Sequence, residues 1–247
     1  MNKKISFLIA LALTVLISNI FFIFSESERE LESVILARVI DGDTLELEDG
    51  RIVRLVNINS PEKSSPLYIK SLNYLKIYEK ENIYIEKQGI EKYGRTLARL
   101  YSQDEKYLNL ELVSLGLASK FLVEESELEA FDKAEKEAVK WNKGIWKSSN
   151  YSGCLNVEVS EEEEMVRIKN ICNPFNLSGW ILKDESRKQY KFNILLDSEV
   201  NLHSGSGNDN RTDIFWNSKT SIWNNDRDTI YLFDSENNIV FHESYGY

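Results

Sequence analysis

A chain of 247 residues, 42 % hydrophobic and 28 % charged, can bury a real core; this excludes a disordered protein and favours one large or two modest domains. Its formal net charge of -10 argues against a broad, non-specific grip on nucleic acid, which uses a basic surface, yet leaves room for a local cationic pocket that handles one phosphate at a time. The acidity is uneven, since residues 34–150 carry 18 Lys and Arg against 20 Asp and Glu, while residues 151–247 carry 9 against 16.

At the N-terminus, Lys3 and Lys4 precede an uncharged apolar run from Ile5 to Phe24, long enough to cross a bilayer. Residues 1–25 read as a signal peptide or a membrane anchor. The bulky Phe22 and Phe24 stand where a cleavage site has small residues, which favours the anchor. A buried helix of a soluble domain is the alternative, and the lack of a polar face speaks against it. With both lysines on the cytoplasmic side, everything after residue 25 is expected outside, tethered to the membrane or secreted. Residues 26–33 read as a short solvated linker.

From Val34 the pattern changes. "VILARVI", "TLELE" and "RIVRLVNI" are β-branched, largely alternating runs split by "DGD" and "EDG", and so predict strands joined by tight turns. Pro66 to Lys80 has apolar residues at helical spacing, "NIYIE" and "GRTLARLYS" return to strand, and "KYLNLELVSLGLA" and "ELEAFDKAEKEAVKWN" predict amphipathic helices. Five strands and three helices over residues 34–150 fit a small OB-type β-barrel with helices packed around it.

Singly, the polar residues here are ordinary. "DGDT" alone is a hairpin turn, Arg54 a strand residue in a surface ion pair, Asn59 a turn former, and Glu62 a solvated carboxylate after a proline. In order, however, "VIDGDTLEL", "VRLVNINSPE", "EKYGRTLARLY", "LVSLGLA" and "KGIW" resemble the thermonuclease (staphylococcal nuclease-like) family. The resemblance runs from Val39 to Trp146. It implies an OB-fold phosphodiesterase that uses calcium to cleave DNA, RNA or both. By motif position, Asp43 would ligate calcium directly with Asp41 behind it, the Ser60 backbone carbonyl would be a further ligand, Glu62 would be the general base, and Arg54 and Arg95 would grip the phosphate. Asn59 stands where the family's best-known member has an aspartate. Its amide oxygen can still bind calcium, a hard cation that accepts neutral oxygens, but one negative charge is lost and weaker affinity is expected. The distance in sequence from Glu62 to Arg95 is also shorter than in that member. Lys92 and Tyr93 flank Arg95 and are candidates for substrate contact.

Such chemistry needs an activated water, neutralisation of charge growing on the equatorial oxygens, and a clamp on the phosphate. A guanidinium fork suits the clamp because it stays charged and offers paired donors.

Residues 151–247 read as a second domain. Short alternating runs separated by Asn, Asp, Gly and Ser, without a helical stretch, argue a β-sandwich. "VRIKN", "FNLSGWIL", "VNLHSGSG" and "WNNDRDTIYLFDSENNIV" together resemble the lamin tail domain, an immunoglobulin-like sandwich. No catalytic set accompanies it, so it is expected to bind or position, with an unidentified target. Cys154 and Cys172 are the only cysteines; in an oxidising compartment a bond between them would contribute about 3 kcal/mol through the denatured state. Trp180, Trp216 and Trp223 read as core or strand-edge aromatics, and His203 and His242 as structural. Two functional classes follow: a calcium-dependent nuclease outside the cell, or a non-catalytic surface binding protein on a nuclease scaffold.

Overall fold

The computed structural model describes residues 30–247. The expected signal or anchor over residues 1–25 lies outside the described residues; among those described, no helix is long and apolar enough to cross a membrane. In chain order the first half runs β1 (Glu32–Asp41), β2 (Thr44–Leu47), β3 (Ile52–Leu55), β4 (Ile58–Asn59), α1 (Tyr68–Lys76), β5 (Asn82–Ile90), β6 (Thr96–Tyr101), α2 (Leu108–Ser114), β7 (Ser119–Lys120) and α3 (Glu125–Lys140). Five of the strands close a barrel in the order β1-β2-β3-β6-β5. Every neighbouring pair is antiparallel except β3 with β6. Alternation decides what faces in: Leu36, Leu45, Leu47, Val53, Leu55, Ile83, Ile85, Ala98 and Leu100 are all buried in one cluster.

The helices cover this barrel with the faces their spacing presents. Leu72 and Leu75 of α1, Leu108, Leu112 and Val113 of α2, and Phe131 and Ala134 of α3 all enter the same core. Helix α2 is shorter than its sequence pattern predicts. It stops at Ser114 because Gly116 turns left-handed (φ +64) and its backbone meets the Lys143–Gly144 peptide, where a Cβ on Gly116 would collide with the Lys143 carbonyl and one on Gly144 with the Gly116 carbonyl. Beyond that crossing lies the 3-10 turn Gly144–Trp146.

The second half contains β8 (Leu155–Ser160), β9 (Met165–Asn170), β10 (Phe175–Asn176), β11 (Ile181–Lys183), β12 (Gln189–Lys191), β13 (Leu195–Leu196), β14 (Glu199–His203), β15 (Asp213–Phe215), β16 (Asp228–Phe233) and β17 (Ile239–Tyr245). They form two four-stranded sheets, β15-β14-β9-β8 and β12-β11-β16-β17, and the small pair β10-β13. The inward residues, among them Ile168, Trp180, Leu182, Phe192, Leu202, Trp223 and Leu232, make a separate core. Trp216 packs at its edge. Cys154 and Cys172 are joined by a disulfide that pins the ends of β8 and β9.

A third apolar cluster binds the halves together. Ala138 and Trp146 from the barrel side meet Tyr231, Phe233 and Ile239 from the sandwich, with His242 against Trp146 at 4.8 Å between ring centroids. Backbone bonds from Ile239 N to Lys147 O (2.8 Å) and from Ser149 N to Ile239 O (2.9 Å) continue the contact as a short ladder. The sandwich is thereby docked with its β11–β12 edge beside the barrel mouth.

Candidate active site

The turn from β1 to β2 places Asp41, Gly42 and Asp43 at one end of the barrel. Asp41 Oδ1 accepts the Asp43 backbone N–H at 3.1 Å, which sets the turn. Gly42 is required here by space, since a Cβ would lie 2.6 Å from Ser71 Cβ and 2.7 Å from Ser60 Cβ. That absence of a side chain lets the 59–62 segment lie directly over the turn. The Asp43 carboxylate is 1 % exposed. Its Oδ1 accepts Thr44 Oγ1 at 3.1 Å, and its Oδ2 accepts the Ser60 backbone N–H at 2.7 Å.

Arg54, paired with Thr44 across β2 and β3, extends under the same segment. Its Nη2 donates to Ile58 O at 2.7 Å and Asn59 Oδ1 at 2.6 Å and lies 3.4 Å from Asp43 Oδ2, while its Nη1 donates to Leu55 O. Asn59 is held at its other end, where Nδ2 donates to Glu185 O of the sandwich at 2.7 Å. Asn59 and Ser60 are both buried, and Glu62 follows them out to the exposed rim.

One residue in this site has no counterpart in the sequence reading. Arg187, in the turn between β11 and β12, donates Nη2 to Asp43 Oδ2 at 2.5 Å, and its Nη1 forms an ion pair with Glu62 Oε1 at 2.6 Å. Its guanidinium thus fills the gap between the two carboxylates. The turn is built for this: buried Asp184 accepts Lys188 N at 2.7 Å and Ser186 Oγ at 2.5 Å. Arg187 itself is held at φ +77, a conformation that costs a non-glycine residue about 1–3 kcal/mol. The only hint in the sequence is "SRK" between two strand runs of an otherwise acidic domain.

The ionisation of the mouth follows from these contacts. Burial works to raise the Asp43 carboxyl, but Arg54, Arg187 and the Ser60 N–H outweigh it and hold it below the ordinary aspartate value. Asp41 moves the other way, raised by burial and then by the Asp43 charge. Burial lowers Arg54, with Asp43 opposing that shift.

Arg95, just ahead of β6, lies near enough to feel the Asp43 and Asp41 charges, but its guanidinium is committed to Glu91. Its Nε donates to Glu91 Oε1 and its Nη2 to Oε2 at 3.0 Å, a hydrogen-bonded pair that raises Arg95. Lys92 stacks over the exposed Tyr93 ring at 4.9 Å, and no contact of either with the carboxylates is seen among the described residues. The mouth therefore brings together Asp41, Asp43, Arg54, Asn59, Ser60 and Glu62, with Arg95 set to one side by Glu91.

Whether this set suits a calcium ion can be judged by its donors. A carboxylate, an amide oxygen and a backbone carbonyl are hard ligands of the right kind. Among the described residues no three His, Cys, Asp or Glu side chains converge as a metal cluster, so neutral oxygens and water would complete the shell. In the present arrangement Arg187 covers Asp43 Oδ2 and Arg54 takes Asn59 Oδ1.

Residues 52–148 match the staphylococcal nuclease homologue family, and residues 147–247 match the lamin tail domain. Arg54, Asn59, Ser60, Glu62 and Arg95 fall inside the first match, and Asp41 and Asp43 lie just ahead of it. The chain is 33 % identical over 140 residues to an uncharacterized endonuclease of Haemophilus influenzae, covering 53 % of this chain and 75 % of that protein. It is 32 % identical over 166 residues to a thermonuclease of Staphylococcus intermedius, covering 58 % of this chain and 98 % of that one. An endonuclease of Bacillus subtilis, YhcR, is 27 % identical over 149 residues, covering 50 % of this chain and 12 % of that protein.

Proposed function

Because this chain belongs to the staphylococcal nuclease homologues and carries a lamin tail domain behind its barrel, we propose that it is a nuclease hydrolysing the phosphodiester bonds of DNA, RNA or both at the Asp43–Glu62 mouth. The observation that carries the reading is the convergence of Asp43, Arg54, Asn59, Ser60 and Glu62 on one rim, from separate turns and strands. Glu62, exposed at the edge, is placed to take a proton from an attacking water. Arg54 presents a guanidinium to the phosphate from below, and Arg95 can add a second once it leaves Glu91.

Calcium, when bound, supplies positive charge against the equatorial oxygens of the phosphate. Asp43, the Asn59 amide oxygen and the Ser60 carbonyl would hold it, with Asp41 behind Asp43. Asp43 Oδ2 cannot serve a cation and Arg187 at once, so Arg187 must let go of both carboxylates before either acts. The apparent calcium requirement then includes the work of displacing Arg187. The disulfide, which persists in oxidising compartments, supports placing the protein outside the cytoplasm, secreted or tethered through residues 1–25.

The Arg187 bridge is also what favours the second reading, a non-catalytic binding protein whose acidic pair is permanently neutralised. Cleavage of single-stranded DNA and RNA separates the two. With calcium the chain should cut and with chelator it should not, and Glu62→Gln and Arg54→Ala should each lower the rate by about a hundredfold or more. Equal rates in the parent and both variants, or none at millimolar calcium, would leave the binding reading.

A further inference from the structure

A cleft of about 400 Å³ opens between the barrel and the sandwich and begins at the catalytic rim, with Asn59, Ser60 and Glu62 on one wall. Its other wall is the face of β11, β12 and β16, which contributes Lys183, Arg187, Lys191 and Tyr231. Lys183 is the unusual member. Strand register sets it opposite Tyr231, and its Nζ lies 5.1 Å from the ring centroids of both Tyr231 and Phe233, which are themselves stacked 16° from parallel. No carboxylate among the described residues pairs with it. Burial, with Arg187 adding to it, pushes the ammonium down to about 8 against the weaker opposing charges of Asp184 and Glu62.

The acids that share the cleft do not pair with Lys183. Glu62 is paired with Arg187. Glu185 accepts Tyr247 Oη at 2.5 Å. Arg187, another cation of the lining, has its Nε buried and without an acceptor. Aromatic faces hold a cation in place without neutralising it, so Lys183 is positioned and charged but not compensated. A phosphodiester meets this chemistry, because its anionic oxygens would pair with the lysine.

We propose that the cleft is a phosphate-binding subsite built by the C-terminal domain, in which Lys183, assisted by Lys191 at the exposed rim, takes a phosphate flanking the scissile one. The identity of the anion rests on the nuclease reading; the subsite itself can be tested without cleavage. It gives the sandwich a task, to hold a strand of more than one nucleotide in register with Glu62. The domain is acidic overall, yet three of its cations line this face.

The test is fluorescence anisotropy with the full chain carrying Glu62→Gln, using a labelled ten-residue oligothymidylate and a labelled thymidine dinucleotide over a salt series. Adding Lys183→Met should weaken binding of the ten-residue strand about fivefold to tenfold and make the slope of log affinity against log salt shallower by about 0.7. Dinucleotide affinity should stay the same, and Lys183→Arg should keep the parent behaviour. Should the methionine variant lose its cooperative melt, Lys191→Gln at the rim gives the same readout with a smaller change. Parent-like affinity and slope in the lysine variants, or equal loss in Lys183→Arg, would overturn the subsite and leave Lys183 a structural stacking residue. Failure of the parent chain to cut any strand would overturn the nuclease reading alone, and unchanged strand binding in an active enzyme would overturn the subsite alone.

Discussion

The two halves of the molecule place their charges in opposite ways. The barrel is nearly neutral, and it concentrates its chemistry at one mouth by burying Arg54 and Asp43 side by side. The sandwich carries 9 basic against 16 acidic residues, yet three of its cations, Lys183, Arg187 and Lys191, line the cleft it shares with the barrel. A domain's average charge therefore says little about the face it offers to its neighbour, because electrostatics at a docked surface is decided over a few ångströms.

If the halves act as one site, separating them should have the largest effect. Trp146, 1 % exposed and packed against Tyr231 and His242, anchors the shared cluster. Trp146→Ala is expected to lose about 3–5 kcal/mol of unfolding free energy and to split a single urea transition into two. One transition with a loss below about 1 kcal/mol would mean that the cluster does not hold the halves together.

Damage confined to the sandwich sharpens the contrast. Replacing both Cys154 and Cys172 by serine should destabilise that half by about 3 kcal/mol, read by denaturant unfolding, while the rate on a dinucleotide substrate stays at the parent level. A parallel loss of dinucleotide cleavage would show that the barrel cannot fold its mouth alone.

The smallest expected effect is a pH dependence from Lys183. Its ammonium is pushed down to about 8 in the folded chain by burial, against about 10.4 for an unfolded lysine. The folded state gives up this proton first, so between those values the unfolded chain binds more protons and stability rises with pH. Urea midpoints at neutral pH and at about pH 9.5 should thus rise more in the parent than in Lys183→Met; identical rises would remove the buried-cation account.

Much of the barrel was legible in advance. Alternation in "VILARVI" and "RTLARLY" and helical spacing in "ELEAFDKAEKEAVKWN" mark local structure, and local structure is what periodicity reports. The grouping of Arg54 with Asn59 and Glu62 was legible for the same reason, because one strand and its following turn carry all three. The Arg187 contact was not. It joins residues far apart in sequence, and neither the alternation of β11 and β12 nor the acidity of their domain marks the turn between them. The Glu91 clasp on Arg95 was similarly hidden, since a pair four residues apart across a turn has no helical pattern to announce it. Asn59 shows the same limit: its amide bridges Arg54 and the Glu185 carbonyl, a role that depends on the docked sandwich.

The central claim is that the Asp43–Glu62 mouth is a calcium-dependent hydrolytic site whose cation seat is shared with Arg187. A calcium titration of single-strand cleavage by the parent chain and by Arg187→Ala tests it most directly, with calcium binding followed in parallel by calorimetry. The account predicts calcium-dependent cutting by both, with half-saturation and the calorimetric Kd at about tenfold lower calcium in the variant, because the competing guanidinium is gone. Cleavage indifferent to calcium, or the same calcium requirement with and without Arg187, would contradict it.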